Sequence, residues 1–188
     1  TMIAGINVRA LRVSYIGETG WELHALANEA VTLFTALEQA AEPFGLGFYG
    51  AYTANSMRLE KGYRGWGSDL TTERSPIETG LSALVRPELR RQLKRDTPWD
   101  MVLLDIEAGE VDPFYAHTLW HKGRPVGIVT SGAYGHRTGK VLALAFLRDA
   151  SARTDLNVSI LGQMRRATIL SDPPFDPTNT RLKAGGLS

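Results

Sequence analysis

The feature that most limits what this 188-residue chain can become is a change of rhythm near Thr97-Pro98. Beyond it, short apolar runs follow one another closely: Met101–Ile106, Tyr115–Trp120, Val126–Thr130, Val141–Leu147, Asn157–Leu161 and Ala167–Leu170. His121-Lys122-Gly123-Arg124 and Gly132-Ala133-Tyr134-Gly135 read as turns between them. Short, closely spaced strands with turn signals between them predict a small antiparallel barrel or sandwich. The stretch Asp172-Pro173-Pro174-Phe175-Asp176-Pro177 cannot be a central strand, because proline supplies no ladder donor.

Before the change, helical and strand patterns mix. Leu11, Val13 and Tyr15 alternate, as do Trp21, Leu23 and Ala25, with Gly17-Glu18-Thr19-Gly20 between the two runs. That pattern predicts a hairpin with Glu18 at its tip. Asn28 is placed to cap a helix carrying Val31, Phe34, Leu37 and Ala41, which Pro43 and Gly45 stop. A second helix is expected from Ala51 to Lys61, ended by Gly62, with Asn55 and Arg58 on one face at i, i+3. Leu81–Val85 is a short apolar segment, and the charged run Arg86–Asp96 reads as a solvated helix. The fold class is therefore α+β, with a mixed unit over residues 1–96 followed by an all-β unit over residues 97–188.

Composition removes several functional classes. The chain has no cysteine, so it holds no disulfide scaffold, thiolate metal site or cysteine nucleophile. Its formal net charge of +1 provides no field for nucleic acid or for an anionic membrane. No apolar run approaches the roughly 20 residues that span a bilayer, and the first residues lack a signal peptide's basic flank and apolar core. These features describe a soluble, cytoplasmic protein, or a piece of one, without nucleic-acid or membrane partners. His117 and His121 stand at i, i+4 without the glutamate of a zinc-protease motif, so no metal is expected. The glycines from Gly127 to Gly135 lack the lysine and spacing of a phosphate loop.

Two stretches could carry chemistry. Tyr15-Ile16-Gly17-Glu18-Thr19-Gly20-Trp21-Glu22-Leu23 offers a carboxylate on a glycine-flanked turn, where backbone can approach a ligand closely. The run from Asn55 to Leu70 offers a helix-borne guanidinium, Arg58, followed by the loop Lys61-Gly62-Tyr63-Arg64-Gly65-Trp66-Gly67, suited to a flat ring. Tyr15, Trp21, Tyr63 and Trp66 are each candidate pocket walls, and each is equally readable as packing.

In this order and at this separation, the two stretches resemble the aminomethyltransferase (glycine cleavage T-protein) family. The likeness is nearer to its branch fused to flavin enzymes, the dimethylglycine and sarcosine dehydrogenases. Pro76-Ile77-Glu78-Thr79-Gly80-Leu81, the run Gly123–Tyr134 and the ending Pro174-Phe175-Asp176-Pro177 extend the resemblance over nearly the whole chain. The resemblance implies the T-protein folate-binding fold followed by its C-terminal barrel. It also implies tetrahydrofolate as the bound group, with Glu18 and Arg58 as its contacts. One carboxylate can accept from the pterin N3–H and 2-amino group together, while a guanidinium donates toward the 4-oxo group.

The resemblance carries three further expectations. An N-terminal part of the transferase would precede Asn7–Val8 and supply the catalytic aspartate, so no catalytic residue is assigned within this chain. FAD would belong to a still earlier domain of the parent, which in a eukaryote would reside in the mitochondrial matrix. An apolar surface around Leu11, Val13 and the start of the chain would meet that missing part, and the fragment alone would not turn over dimethylglycine or sarcosine. A stand-alone T-protein or folate-dependent demethylase is the nearest alternative. From another class comes a scaffold, or a folate-binding protein linked to iron–sulfur assembly. In that last family a cysteine follows Lys-Gly, where this chain has Tyr63.

Overall fold

In the computed structural model, residues 1–93, 98–148 and 151–184 are described. The chain opens with two strand pairs. Strand β1 (Met2–Ile3) turns back on β2 (Ile6–Asn7), and β3 (Arg9–Leu11) pairs antiparallel with β4 (Glu22–His24). A 3-10 turn (Ala27–Glu29) leads into α1 (Ala30–Ala41), and a second turn (Glu42–Phe44) ends it at Gly45 in the left-handed conformation. Helix α2 (Ala51–Glu60) follows, then a long loop, a 3-10 turn (Ser82–Leu84) and the short α3 (Pro87–Arg90).

The second half is a closed antiparallel barrel. Its strands are β5 (Asp100–Ile106), β6 (Thr118–His121), β7 (Arg124–Gly135), β8 (Lys140–Leu147), β9 (Leu156–Ile160) and β10 (Gln163–Leu170). Around the barrel they run β10–β5–β8–β7–β6–β9, and β9 pairs again with β10. Closure leaves no free edge, which is how a small sheet with an apolar inner face avoids pairing with other chains. The chain then crosses back toward the first half, and the last element among the described residues is α4 (Thr180–Ala184).

Strand alternation explains the barrel core. Val102, Leu104 and Ile106 of β5 point inward with Val129, Val141, Ala143, Ala145, Val158 and Ile160. Strand β8 is buried along Val141–Leu147 on both faces. Its other face, Leu142 and Leu144, packs with Ala133 against Leu59 of α2. A continuous apolar strand is what a sheet covered on both sides requires, so β8 is the seam between the two halves. A third, smaller cluster of Ile6, Val8 and Leu33 holds α1 to the first strands.

Several sequence expectations need correction. The first hairpin does not carry a four-residue turn: pairing stops at Leu11 and Glu22, leaving residues 12–21 as an irregular loop. The bond from the Val13 N–H to the Leu11 carbonyl ends the ladder there. Asn28 is not the cap of α1 but lies inside the preceding 3-10 turn, and Glu29 occupies the cap position with no side-chain bond. The stripe Val31, Phe34 and Leu37 faces outward, while Leu33 is the helix's buried anchor. Of the charged run Arg86–Asp96, only Pro87–Arg90 forms α-helix, and residues 94–97 lie outside the described residues. The strand expected from Tyr115 begins at Thr118, because Ala116 takes a φ of 71°.

Gly132-Ala133-Tyr134-Gly135 is strand rather than turn. Its first glycine serves a close approach: a Cβ on Gly132 would stand 2.3 Å from the Pro113 carbonyl oxygen. Gly132→Ala is therefore expected to cost about 1–3 kcal/mol, the usual range for overpacking. Chemical denaturation checks it, and an unchanged midpoint would mean that the 113 loop moves freely. The real tight turn is Lys122-Gly123, with φ values of 47° and 75°, the two-residue geometry that matches strand twist.

Candidate ligand site at the junction of loop, helix end and tail

The last turn of α2 organises everything around it. Arg58, Glu60 and Lys61 are buried, and each reaches a different segment. Glu60 accepts from the backbone N–H groups of Arg137 and Thr138, fastening the turn between β7 and β8. Arg58 donates to Asp69 at 2.7 Å, to the Tyr63 carbonyl at 2.7 Å and to Asn55 through two nitrogens. Lys61 donates to the Gly17 carbonyl and, at 2.8 Å, to Asp176 of the tail. Helix, barrel, loop 12–21 and tail are thereby tied to a single turn of helix.

Gly17 matters for that knot. Its φ of 74° is left-handed, and a Cβ there would stand 2.4 Å from the Lys61 Cδ. Glycine lets the lysine stem pass beneath the loop, which exposes the Gly17 carbonyl to the ammonium and presents Glu18 above it.

Glu18 is the polar centre of the exposed side. Its side chain is 18% exposed; Arg181 Nε lies 2.9 and 2.7 Å from its two oxygens, and Lys61 Nζ lies 3.9 Å from Oε1. The paired carboxylate holds the Arg181 guanidinium above its ordinary range. A cleft of about 220 Å³ opens beside it, lined by Val13, Tyr15, Glu18, Trp21, Tyr49 and Ala54 among others. That is below the roughly 300–1,000 Å³ of sites for drug-sized ligands. It accommodates one ring system and leaves the remainder of a larger ligand to further walls.

The structure brings three of the expected residues together: Glu18, Tyr15 and Trp21 share this cleft, and both aromatic rings are about half exposed. It does not bring the other three. Arg58 is 2% exposed and sits behind Tyr15, its guanidinium 5.8 Å from that ring's centroid, with its donors turned to protein partners. It contacts the cleft through Tyr15 rather than facing it. Tyr63 donates its hydroxyl to Asn179 of the tail at 2.9 Å, and burial, then Asp176, pushes that phenol above its usual range. Trp66 is exposed and lines a separate cleft with Leu70, Arg74 and Leu84.

Sequence reasoning gave no role to Asp69, Lys61, Asp176 and Arg181, although Lys61 and Asp69 lie within the stretch it singled out. Asp69 is fully buried: one oxygen accepts from Arg58 and the Gly65 N–H, the other from the hydroxyls of Thr130 and Ser131. Its neighbour Arg64, half-buried, is held below its usual range by desolvation, which the charge of Asp69 partly opposes. Asp176 accepts from the N–H groups of Thr180 and Arg181, the local bonding that aspartate favours before a helix. Asp-Pro-Thr-Asn was a readable turn signal for that bend.

The bond from Lys61 lowers Asp176 from 3.8 to about 2. A carboxylate depressed on folding contributes stability above its ordinary value and loses it as pH falls through the folded one. Tail docking is therefore expected to persist from neutral pH down to about 4 and to loosen between about 4 and 2. Amide exchange of residues 175–184 across that range checks it. Loosening near neutrality would show that Asp176 does not hold the tail.

Residues 1–88 match the GCVT N-terminal domain, and residues 100–176 match the glycine cleavage T-protein C-terminal barrel domain. The chain belongs to the glycine cleavage T-protein family. Mitochondrial dimethylglycine dehydrogenase of Mus musculus is 33% identical over 98% of this chain and 23% of its own length. Mitochondrial sarcosine dehydrogenase of Mus musculus is 31% identical over 96% of the chain and 22% of its own length. An aminomethyltransferase of Shouchella clausii is 31% identical over 94% of the chain and 51% of its own length. The chain thus spans about a quarter of those dehydrogenases and about half of that transferase. The crystal structure of the glycine cleavage system aminomethyltransferase T from Bartonella henselae superposes with a TM-score of 0.77. That match covers 89% of this chain and 50% of the other at 21% identity, a likeness of fold. Among the described residues, no helix is long and apolar enough to cross a membrane. No group of three or more His, Asp and Glu side chains among them converges as a metal site.

Proposed function

We propose that this chain is the tetrahydrofolate-binding, one-carbon-transferring portion of a dimethylglycine- or sarcosine-dehydrogenase-like enzyme, divided into a mixed unit over 1–96 and a barrel over 97–188. The observation that carries the proposal is Glu18 lining one cleft with Tyr15 and Trp21, bonded to Arg181 and with the Lys61 ammonium 3.9 Å away. A carboxylate has about four acceptor positions. The single Arg181 Nε–H is shared between the two oxygens, which leaves an outer acceptor position on each for the N3–H or 2-amino donor of a reduced pterin. The aromatic rings supply flat surface for the pterin face.

Bound folate would supply the two nitrogens that accept the one-carbon unit as the 5,10-methylene form. The residues of this chain bind and orient; Glu18 is a positioner, and no side chain here is assigned a proton-transfer step. Holding reactants in place is itself a large part of such catalysis. Arg58, expected as a direct contact, would act through Tyr15 and through the loop that it braces with Asp69. Tyr63 would act through the tail, and Trp66 would serve a more distant wall. FAD would bind in a separate domain of the parent. Val31, Phe34 and Phe48, all exposed and the last two stacked at 5.6 Å, would offer an apolar face to the rest of that parent. The location would be the cytoplasm, or the mitochondrial matrix in a eukaryote.

The test is equilibrium titration of tetrahydrofolate into the full-length parent and its Glu18→Gln variant. Binding by the wild type and clear weakening in the variant are expected; equal affinities would remove Glu18 from the site and the reading with it.

A further inference from the structure

The tail of the chain returns to the first half over a long sequence separation and fastens onto the loop that carries Glu18. Arg181 binds both Glu18 oxygens, the Thr19 hydroxyl donates to the Arg181 carbonyl at 3.2 Å, and Arg12 donates to the Leu182 carbonyl at 3.3 Å. Upstream, the Phe175 N–H donates to the Glu60 carbonyl, Asp176 pairs with Lys61, and Asn179 accepts from Tyr63. Phe175 lies under three cations: Arg137 at 4.8 Å, Lys61 at 5.5 Å and Arg181 at 5.8 Å from its ring centroid.

Loop 12–21 has little strand ladder to hold it. It is secured by cross-links to the helix end and the tail, and the strongest of these on the ligand side is the contact of Arg181 with Glu18. From these contacts we propose that Arg181 is a positioning residue for ligand binding, fixing the Glu18 carboxylate in one orientation beside the cleft, where a pterin-type donor would meet an outer oxygen position.

Two features separate this from an incidental surface pair. The Glu18 side chain is mostly buried, so its rotamer is set by its neighbours rather than by water. Arg181 is itself oriented, because its backbone N–H is held by Asp176 and its guanidinium lies over Phe175. Lys61, at 3.9 Å from one oxygen, supplies charge without setting a plane. Arg181, with its single Nε–H shared between both oxygens, holds the carboxylate as a unit. An ammonium there, on a flexible stem, would donate as well but hold the carboxylate less rigidly.

The inference rests on the folate reading of Glu18, and a double-mutant cycle in the full-length parent tests the two separately. Tetrahydrofolate affinity is measured for wild type, Arg181→Ala, Glu18→Gln and the double variant, with melting temperature as a folding control. Arg181→Ala is expected to weaken binding roughly three- to tenfold, as fits a charge-assisted contact with one half-exposed partner. In the Glu18→Gln background the same change should alter affinity less than about twofold, since residues acting through one contact are not additive. Arg181→Lys should recover part of the loss, and amide exchange of residues 12–22 should quicken in Arg181→Ala. If Glu18→Gln is weak while Arg181→Ala binds normally, the positioning role fails and the folate reading stands. Normal binding by Glu18→Gln overturns both. Equal losses in both backgrounds would show a general structural role for the tail and overturn the inference.

Discussion

Asp69→Ala should destabilise the protein more than any single surface change, by about 3–5 kcal/mol, the cost of breaking a buried ion pair from one side. Asp69 is fully buried and answers four donors at once: the Arg58 guanidinium, the Gly65 N–H, and the hydroxyls of Thr130 and Ser131. Removing the carboxylate leaves a buried guanidinium uncompensated, and water has little access to repair it. At roughly 2–4 °C per kcal/mol for a chain of this size, the melting temperature should fall by about 6–20 °C. Asp69→Asn should recover part of the loss, because the amide oxygen still accepts although the charge is gone. Arg58→Lys should fall between the two, since an ammonium cannot serve Asn55, Tyr63 and Asp69 together. A drop below about 2 °C for Asp69→Ala would reduce this pair to the rank of an exposed ion pair.

The barrel was readable because strands buried on their inner face must alternate, and because Lys122-Gly123 has the chemistry of a two-residue turn. Glycine was the misleading signal. Gly132 and Gly135 read as turn residues, yet both sit in β7, where Pro113 and Glu60 approach too closely for a side chain. The outward stripe of α1 misled in another way: periodicity shows that a helix has an apolar face, but not which neighbour covers it. At the site, Glu18, Tyr15 and Trp21 were legible because they are local to one loop. Arg58 was visible as a residue, but its direction was not, since that depends on Asp69 eleven positions on and on two barrel hydroxyls more than sixty positions on. Arg181 left no local trace. It meets Glu18 across a separation of 163 residues, and only the closed barrel brings the tail back to that point.

Glu18→Gln in the full-length parent should weaken tetrahydrofolate binding about ten- to hundredfold. With one Arg181 N–H shared between its oxygens, the carboxylate keeps an outer acceptor position on each oxygen, and a pterin donor can use it. Glutamine keeps the shape but replaces one oxygen by an amide that donates, so one ligand donor meets another donor. It also removes the charge that strengthens the remaining bond. Losing a charge-assisted contact of this kind costs about 1.5–3 kcal/mol, and each 1.4 kcal/mol is about a decade in affinity. The Arg181 Nε–H can still find the amide oxygen, so the loop should stay docked and the melting temperature should move little. That stability control separates this variant from Asp69→Ala and Arg58→Lys, whose main cost should appear as melting temperature. Reduction of the parent's flavin by its amine should be unaffected, because that half-reaction belongs to another domain in the proposed arrangement. A variant that binds folate as the wild type does would leave Glu18 as a fastening point between loop and tail, with the cleft beside it serving some other ligand.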